Sequence, residues 1–198
     1  MASKPDNRFN NRLVADVGGT NTRIALYDHQ ANELRALKTF LNRDFDRFEQ
    51  VIHSWLTSLS EPPPIEACIA VAAAPSNDNV TMSNMGWSFS CSELARQFSF
   101  SAFHWINDFT AVAHALPYLT GSQKQILHAG VQQPDCDHFA AMGPGTGLGG
   151  ATIELIGGQH YVSACEPGHM GLSPGTNQEI ELFELLLHRH PSIYAELL

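Results

Sequence analysis

Two short stretches put a carboxylate where an apolar run gives way to something polar. In "VADVGGTNTRIAL", Val14 to Leu26, Asp16 stands just before Gly18-Gly19-Thr20-Asn21, between two apolar segments. In "WINDFTAVA", Asn107-Asp108 sits where a buried strand becomes a helix. Adjacent glycines expose backbone N–H groups that no side chain shields, and such a turn accepts an anion, typically a phosphate. Thr20 and Asn21 add side-chain donors. Asp16 would repel a bare phosphate. It fits if a Mg²⁺ lies between, because Mg²⁺ takes one or two carboxylates together with water and phosphate oxygens. The same stretch also fits an ordinary hairpin whose glycines serve only the turn. Asp108, flanked by Ile106 and Phe109, is partly desolvated and can accept a proton from a substrate hydroxyl. An Asn or Asp at a helix start also commonly serves as its N-cap.

A second glycine turn lies in "GPGTGLGGA", Gly143 to Ala151. Gly145-x-Gly147-x-x-Gly150 matches the dinucleotide fingerprint, but that fingerprint needs a helix to follow. The β-branched "ATIELI" follows instead, which excludes a Rossmann site. What remains is a strand–turn–strand offering amides to a second phosphate through Gly145, Thr146 and Gly147. Two such turns, in separate domains, read as a clamp on a polyphosphate chain. Neither has the G-x-x-x-x-G-K-[ST] of a P-loop. Gly171-Leu-Ser173-Pro-Gly175 spells a nucleophile elbow, yet the residue after the serine must donate its N–H to the oxyanion, and Pro174 has none. In "EPGHMG", Glu166 and His169 are held by Pro167 and Gly168, and a carboxylate beside an imidazole can bind neighbouring hydroxyls of a sugar. No Cys or His lies at zinc spacing from His169.

The elements that must carry these residues alternate between strand and helix. Leu13–Val17, Arg23–Tyr27 and Leu34–Phe40 read as successive strands. Phe45, Phe48, Val51, Ile52, Trp55, Leu56 and Leu59 recur at helical spacing. "EPPPI" stops that helix. "IEACIAVAAAP" reads as a fully buried strand of a parallel sheet. Ser90-x-x-Glu93 and Thr176-x-x-Glu179 are capping boxes that open helices. "AFHWIN" is a strand running into the helical "DFTAVAHAL". "HFAAMGPGTGLGGATIELIGGQHYVSAC" reads as three strands joined by glycine turns. The pattern is that of an α/β protein. A small α/β domain spans 1–110 and part of a larger one spans 111–198, with a polar, loop-rich stretch from Tyr118 to Pro134.

Bulk properties bound the function classes. The 198 residues are 43% hydrophobic and 16% charged, enough to bury a core. The net charge of −9 argues against a nucleic-acid backbone as partner. The four cysteines, Cys68, Cys91, Cys136 and Cys165, are widely spaced and read as free thiols in a reducing cytosol. "MASKPDNRFNNR" lacks the apolar region of a secretory signal, and the longest apolar run, Ala67–Ala74, is far short of a membrane span. These features point to a cytoplasmic protein without membrane or nucleic-acid partners.

"DVGGTNTRIAL", "NDFTAVA", "GPGTGLGGA" and "EPGHMGLSP", in that order, resemble the motifs of the bacterial glucokinases of the hexokinase/actin-like ATPase superfamily, whose core is ribonuclease-H-like. "MSNMGWSFS", Met82 to Ser90, is similar to a sugar-binding loop of that family, and the resemblance runs from Leu13 to Leu198. It implies an enzyme that moves the γ-phosphoryl of ATP to the 6-hydroxyl of glucose, with Mg²⁺, at the first step of glycolysis. It implies Asp108 as general base, and Asn84, Asn107, Asp108, Glu166, His169 and Glu196 as sugar ligands. Asp16 would organise Mg²⁺ through water. Gly18, Gly19, Thr20 and Asn21 would face the phosphates on one side and Gly145, Thr146 and Gly147 on the other. The family's chains run longer than this one. The resemblance therefore also implies that the 198-residue chain alone is a poor kinase, marginally stable, with one face of its N-terminal sheet open, and prone to form homo-oligomers. A sugar-binding protein without catalysis is the competing expectation.

Overall fold

The structure, a computed structural model, describes residues 11–73, 78–82, 85–131, 137–145, 147–194 and 197. The chain forms two compact units that divide between Ala111 and Val112.

The first unit is built on a mixed five-stranded sheet. Strands β1 (Asn11–Val17), β2 (Asn21–Asp28) and β3 (Glu33–Leu41) form an antiparallel meander. Strands β4 (Glu66–Val71) and β7 (Ala102–Asn107) then add in parallel on the other side of β1, giving the order β3-β2-β1-β4-β7. Between them come helix α1 (Phe48–Thr57), the short hairpin β5 (Asn79–Thr81) and β6 (Ser88–Ser90), and helix α2 (Cys91–Phe98). Helix α1 buries Phe48, Val51, Ile52 and Trp55, the spacing that sets one stripe of a helix against a sheet. Those side chains join Leu13, Val17, Ile24, Leu26, Ile69 and Val71 in a single core cluster. Strand β4 departs from the expected full burial. Ala67, Ile69 and Val71 are buried, whereas Glu66, Cys68 and Ala70 on its other face are only half-buried. A parallel strand covered on one face alternates like an antiparallel one.

Two local devices fix this core. Ser90 caps α2, its hydroxyl accepting the Glu93 N–H at 3.1 Å, as the capping-box spacing requires. Trp55 is fully buried, and its indole N–H donates to the carbonyl of Ala36 at 2.9 Å. Ala36 stands at φ 51°, where the pairing of β2 with β3 shifts register. An aromatic donor from the helix thus satisfies the backbone at a bulge that the ladder leaves open.

The second unit holds a three-stranded antiparallel sheet in the order β10-β9-β8, from β8 (His138–Pro144), β9 (Leu148–Ile156) and β10 (Gln159–Cys165). Gly157 and Gly158 both have positive φ, the conformation a two-residue hairpin of this twist demands. Helix α4 (Asn177–Leu187) starts at a complete capping box between Thr176 and Glu179. Helix α3 (Asp108–Ala115) leads from the first unit across the division. No helix among the described residues is long and apolar enough to cross a membrane.

Replacing Trp55 by Phe removes the only hydrogen-bond donor on that ring, and the Ala36 carbonyl loses this partner. The unfolding free energy should fall by about 0.5–1.5 kcal/mol, the net weight of one hydrogen bond, read as a lower urea midpoint at unchanged slope in far-UV circular dichroism.

Candidate active site

The parallel pairing of β1, β4 and β7 brings the first set of candidate residues to one edge. Asp16 pairs with Ala70, which pairs with Ile106; Val17 pairs with Val71, which pairs with Asn107. The carboxyl ends of the three strands are therefore level. The glycine turn leaves from one and α3 from another, with a single strand between them, a span of about 10 Å at ordinary strand spacing. Crevices at the carboxyl ends of parallel strands are where α/β sheets take ligands.

Asn107 and Asp108 divide two tasks. Asn107 is buried, and its Oδ1 accepts the N–H of Thr110 at 3.1 Å, which caps α3. Its Nδ2 donates to the Ala73 carbonyl at 3.1 Å and to Asp108 Oδ1 at 3.0 Å. Capping is thus Asn107's work, and Asp108 is left half-buried at the first position of the helix. Burial pushes the Asp108 carboxyl above the usual carboxylate range, and the nearby charge of Asp16 pushes the same way. Hydrogen bonds from the Phe109 N–H, its own N–H and the Asn107 amide oppose the shift.

Asp16 is held by a residue that the sequence motifs did not single out. Arg23 faces it across the β1–β2 ladder and donates from Nη1 to Asp16 Oδ2 at 2.8 Å. Among the described residues no group of three His, Cys, Asp or Glu side chains could hold a metal by protein ligands. A single half-exposed carboxylate beside a glycine turn could hold Mg²⁺, an ion that keeps most of its water and takes one or two carboxylates together with phosphate oxygens.

The turn between β1 and β2 closes through a hydrogen bond from Gly18 N–H to the Asn21 carbonyl at 3.0 Å. The Gly18 amide is therefore used within the turn. The Gly19 and Thr20 amides make no hydrogen bond among the described residues. The described glycines with left-handed φ are Gly130, Gly157 and Gly158, so Gly18 and Gly19 are not present to satisfy a left-handed turn. Absence of side chains, rather than backbone angle, is what these glycines supply. A cleft of about 460 Å³ opens beside them, lined by Gly19, Thr20, Asn42, Arg43, Met85 and Trp87 among others.

In the second unit the turn between β8 and β9 closes in the same way, with Gly145 N–H donating to the Gly147 carbonyl at 2.7 Å. Glu166 precedes a short 3-10 turn, Pro167–His169, and the His169 ring meets Tyr194 edge-on at 5.7 Å between centroids. This loop is tied to the 193–194 segment, because Leu172 N–H donates to the Ile193 carbonyl at 3.0 Å. It is also tied to β9. A Cβ on Gly150 would lie 3.0 Å from Pro167 Cγ and 3.2 Å from Cys165 Sγ. The second glycine turn and the Glu166–His169 loop are therefore parts of one packed piece. Asn84, Thr146 and Glu196 lie outside the described residues.

Gly150→Ala presses a methyl against a proline ring that cannot rotate away. Overpacking of this kind should cost about 1–3 kcal/mol, seen in chemical denaturation, with amide shifts concentrated at Gly168 and His169 in NMR spectra.

The chain is similar to known proteins over most of its length. A family model described as Glucokinase matches residues 13–198. The glucokinase of Colwellia psychrerythraea is 34% identical over 175 residues, covering 88% of this chain and 52% of that protein. The crystal structure of a glucokinase from an Antarctic psychrotroph superposes with a TM-score of 0.75 at 37% identity, covering 95% of this chain and 60% of that one. A glucokinase from Balamuthia mandrillaris, solved in complex with glucose, shares the fold with a TM-score of 0.63 at 24% identity, covering 94% and 58% of the two chains. The chain spans about half the length of the curated relatives it matches.

Proposed function

We propose that this chain, which belongs to the glucokinase family and has its actin-like ATPase fold, serves the ATP-dependent phosphorylation of glucose on its 6-hydroxyl. The observation that carries this reading is the half-buried Asp108, relieved of capping by Asn107 and standing at the same sheet edge as the Gly18–Asn21 turn. Asp108 accepts the proton of the 6-hydroxyl as that oxygen bonds to the γ-phosphorus. The bond from the γ-phosphorus to the bridging oxygen breaks, and ADP leaves. A raised carboxyl suits this task, since a base works best when its pKa lies closer to the operating pH. The amides of Gly19 and Thr20, which make no hydrogen bond among the described residues, take phosphate oxygens together with Asn21, and the Gly145–Gly147 turn of the second unit resembles the family's second phosphate motif. Such amides stabilise charge as it develops, because they are already oriented. Asn107 serves the sugar from the first unit, and Glu166 and His169 of the second unit, with Asn84 and Glu196, resemble the family's further sugar ligands. Mg²⁺, held by Asp16 through water, would neutralise phosphate charge when bound. An enzyme of this kind works in the cytoplasm at the entry to glycolysis, where the free thiols of Cys68, Cys91 and Cys165 stay reduced.

Asp108→Asn tests the assignment from two sides. In the protein as its gene encodes it, kcat should fall by about 10²–10⁴, the range for loss of a general base, while glucose still binds by calorimetry. A kcat unchanged by the substitution overturns the role of Asp108, and glucose binding without any ATP turnover in the unsubstituted protein overturns the kinase reading. Stability should move oppositely. Because the folded carboxyl holds its proton more tightly than the unfolded one, stability conferred by this residue falls as pH rises from the ordinary carboxylate range through the raised value. Asparagine has no such loss. The variant should therefore melt higher than the unsubstituted protein at neutral pH, with the difference vanishing in acid.

A further inference from the structure

The polar groups of the first unit include one that neither the motifs nor the proposed chemistry uses. Asn42 opens the short 3-10 turn Asn42–Asp44 after β3, and only 1% of its surface is exposed. A buried amide must have partners, and here they converge on the glycine turn. Its Nδ2 donates to the Gly18 carbonyl at 2.7 Å. Its Oδ1 accepts the hydroxyl of Thr22, also fully buried, at 2.7 Å. Its backbone N–H donates to the Thr20 carbonyl at 2.9 Å. The same Nδ2 lies 3.6 Å from the sulfur of Met85, in the neighbouring loop. One residue therefore grips the turn at its start, its middle and its end.

The grip has a consequence for the free amides. The Gly18 carbonyl and the Gly19 N–H belong to one planar trans peptide and point in opposite directions. A glycine–glycine peptide flips easily, because neither residue is confined by a Cβ. A flip would put a carbonyl oxygen where an anion expects a donor. Hydrogen bonding to the Gly18 oxygen fixes the plane and so fixes the Gly19 N–H on the opposite side. The bond to the Thr20 oxygen does the same for the next plane but one, whose N–H belongs to Asn21.

We infer that Asn42 is a positioning residue for the phosphate turn: it touches no substrate, and it holds the Gly18–Gly19 peptide in the orientation that presents Gly19 N–H to a phosphate. This rests on the phosphate-turn reading above. The test compares two variants of the protein as its gene encodes it. Asn42→Ala loses the bonds to Gly18 and Thr22, whereas Thr22→Val loses only the bond that the two share. Both should lower the melting temperature. Only Asn42→Ala should raise KM for MgATP about tenfold or more, the weight of one oriented hydrogen bond to a charged group, with KM for glucose changed less than about twofold. Equal KM shifts in both variants, or none in either, overturn the inference and leave Asn42 a structural residue. Should Asn42→Ala not fold, backbone NMR of the unsubstituted protein decides. Titration with MgATP should move the Gly19 amide strongly and the Gly18 amide, turned onto Asn21, much less. The reverse order overturns the inference. No amide in the turn responding, with no ATP turnover, overturns this inference and the kinase reading together.

Discussion

Parallel pairing of β1, β4 and β7 is the constraint on which the candidate site depends. Each strand is short, and each ends in a segment that cannot continue a strand: a glycine turn after β1 and a helix N-terminus after β7. Had the register of β1 on β4 slipped by one residue, Asp16 would face the core and Val17 the open side, because side chains alternate along a strand. The buried set of Leu13, Val17, Ala67, Ile69 and Val71 prevents that slip, since every member would have to leave the cluster that α1 and Trp55 cover. Hydrophobic burial on one face of the sheet thus sets the position of two carboxylates that take no part in it.

The electrostatics follow from that placement. Asp16 and Asp108 are close enough for one charge to raise the pKa of the other. Their environments differ. Asp16 is half-exposed and paired with Arg23, whereas Asp108 is half-buried and receives hydrogen bonds only from neutral N–H groups. Two carboxylates set apart in this way can take separate roles, and Asp108 is the one whose burial favours holding a proton. The pairing with Arg23 is of the exposed kind that adds little to stability. Its weight is in keeping the Asp16 carboxylate on the ladder side of the turn.

Much of this was legible in the sequence because the signals were local. The two capping boxes and the strand-like "ATIELI" after the second glycine turn each stand where their pattern puts them, and the helical spacing of Phe45 to Leu59 marks a helix that is shorter at both ends, Phe48–Thr57. The full burial expected for β4 was not legible, because an apolar run does not say whether one face or both will be covered. Asn42 left no signal at all. It lies in a polar stretch, "LNRDFD", that reads as an exposed loop, and its burial arises from contacts 20 and 24 residues away in sequence. Arg23 was more accessible. Once Val14 to Leu26 is read as a hairpin, the turn length places position 23 opposite position 16, and the ion pair follows from counting.

Glycine carries three different meanings in this chain, and the distinction separates fold from function. At Gly157 and Gly158 it provides a left-handed backbone, and any function-free hairpin of that length would ask for the same. At Gly150 it provides closeness, because a proline ring occupies the space where a Cβ would stand. At Gly18 neither reason applies: φ is not left-handed, and a Cβ there would meet only the Asn21 carbonyl at an ordinary 3.4 Å; Gly19 likewise has no left-handed φ. What remains is the bare backbone itself: the Gly19 and Thr20 amides make no hydrogen bond among the described residues, a cleft opens beside them, and buried Asn42 holds the Gly18–Gly19 peptide in place. Water satisfies such amides at little cost while the turn stays open to solvent, and an unpaired donor becomes costly only where water is excluded. Donors placed in this way are able to meet an anionic ligand, which a turn serving only the scaffold does not require.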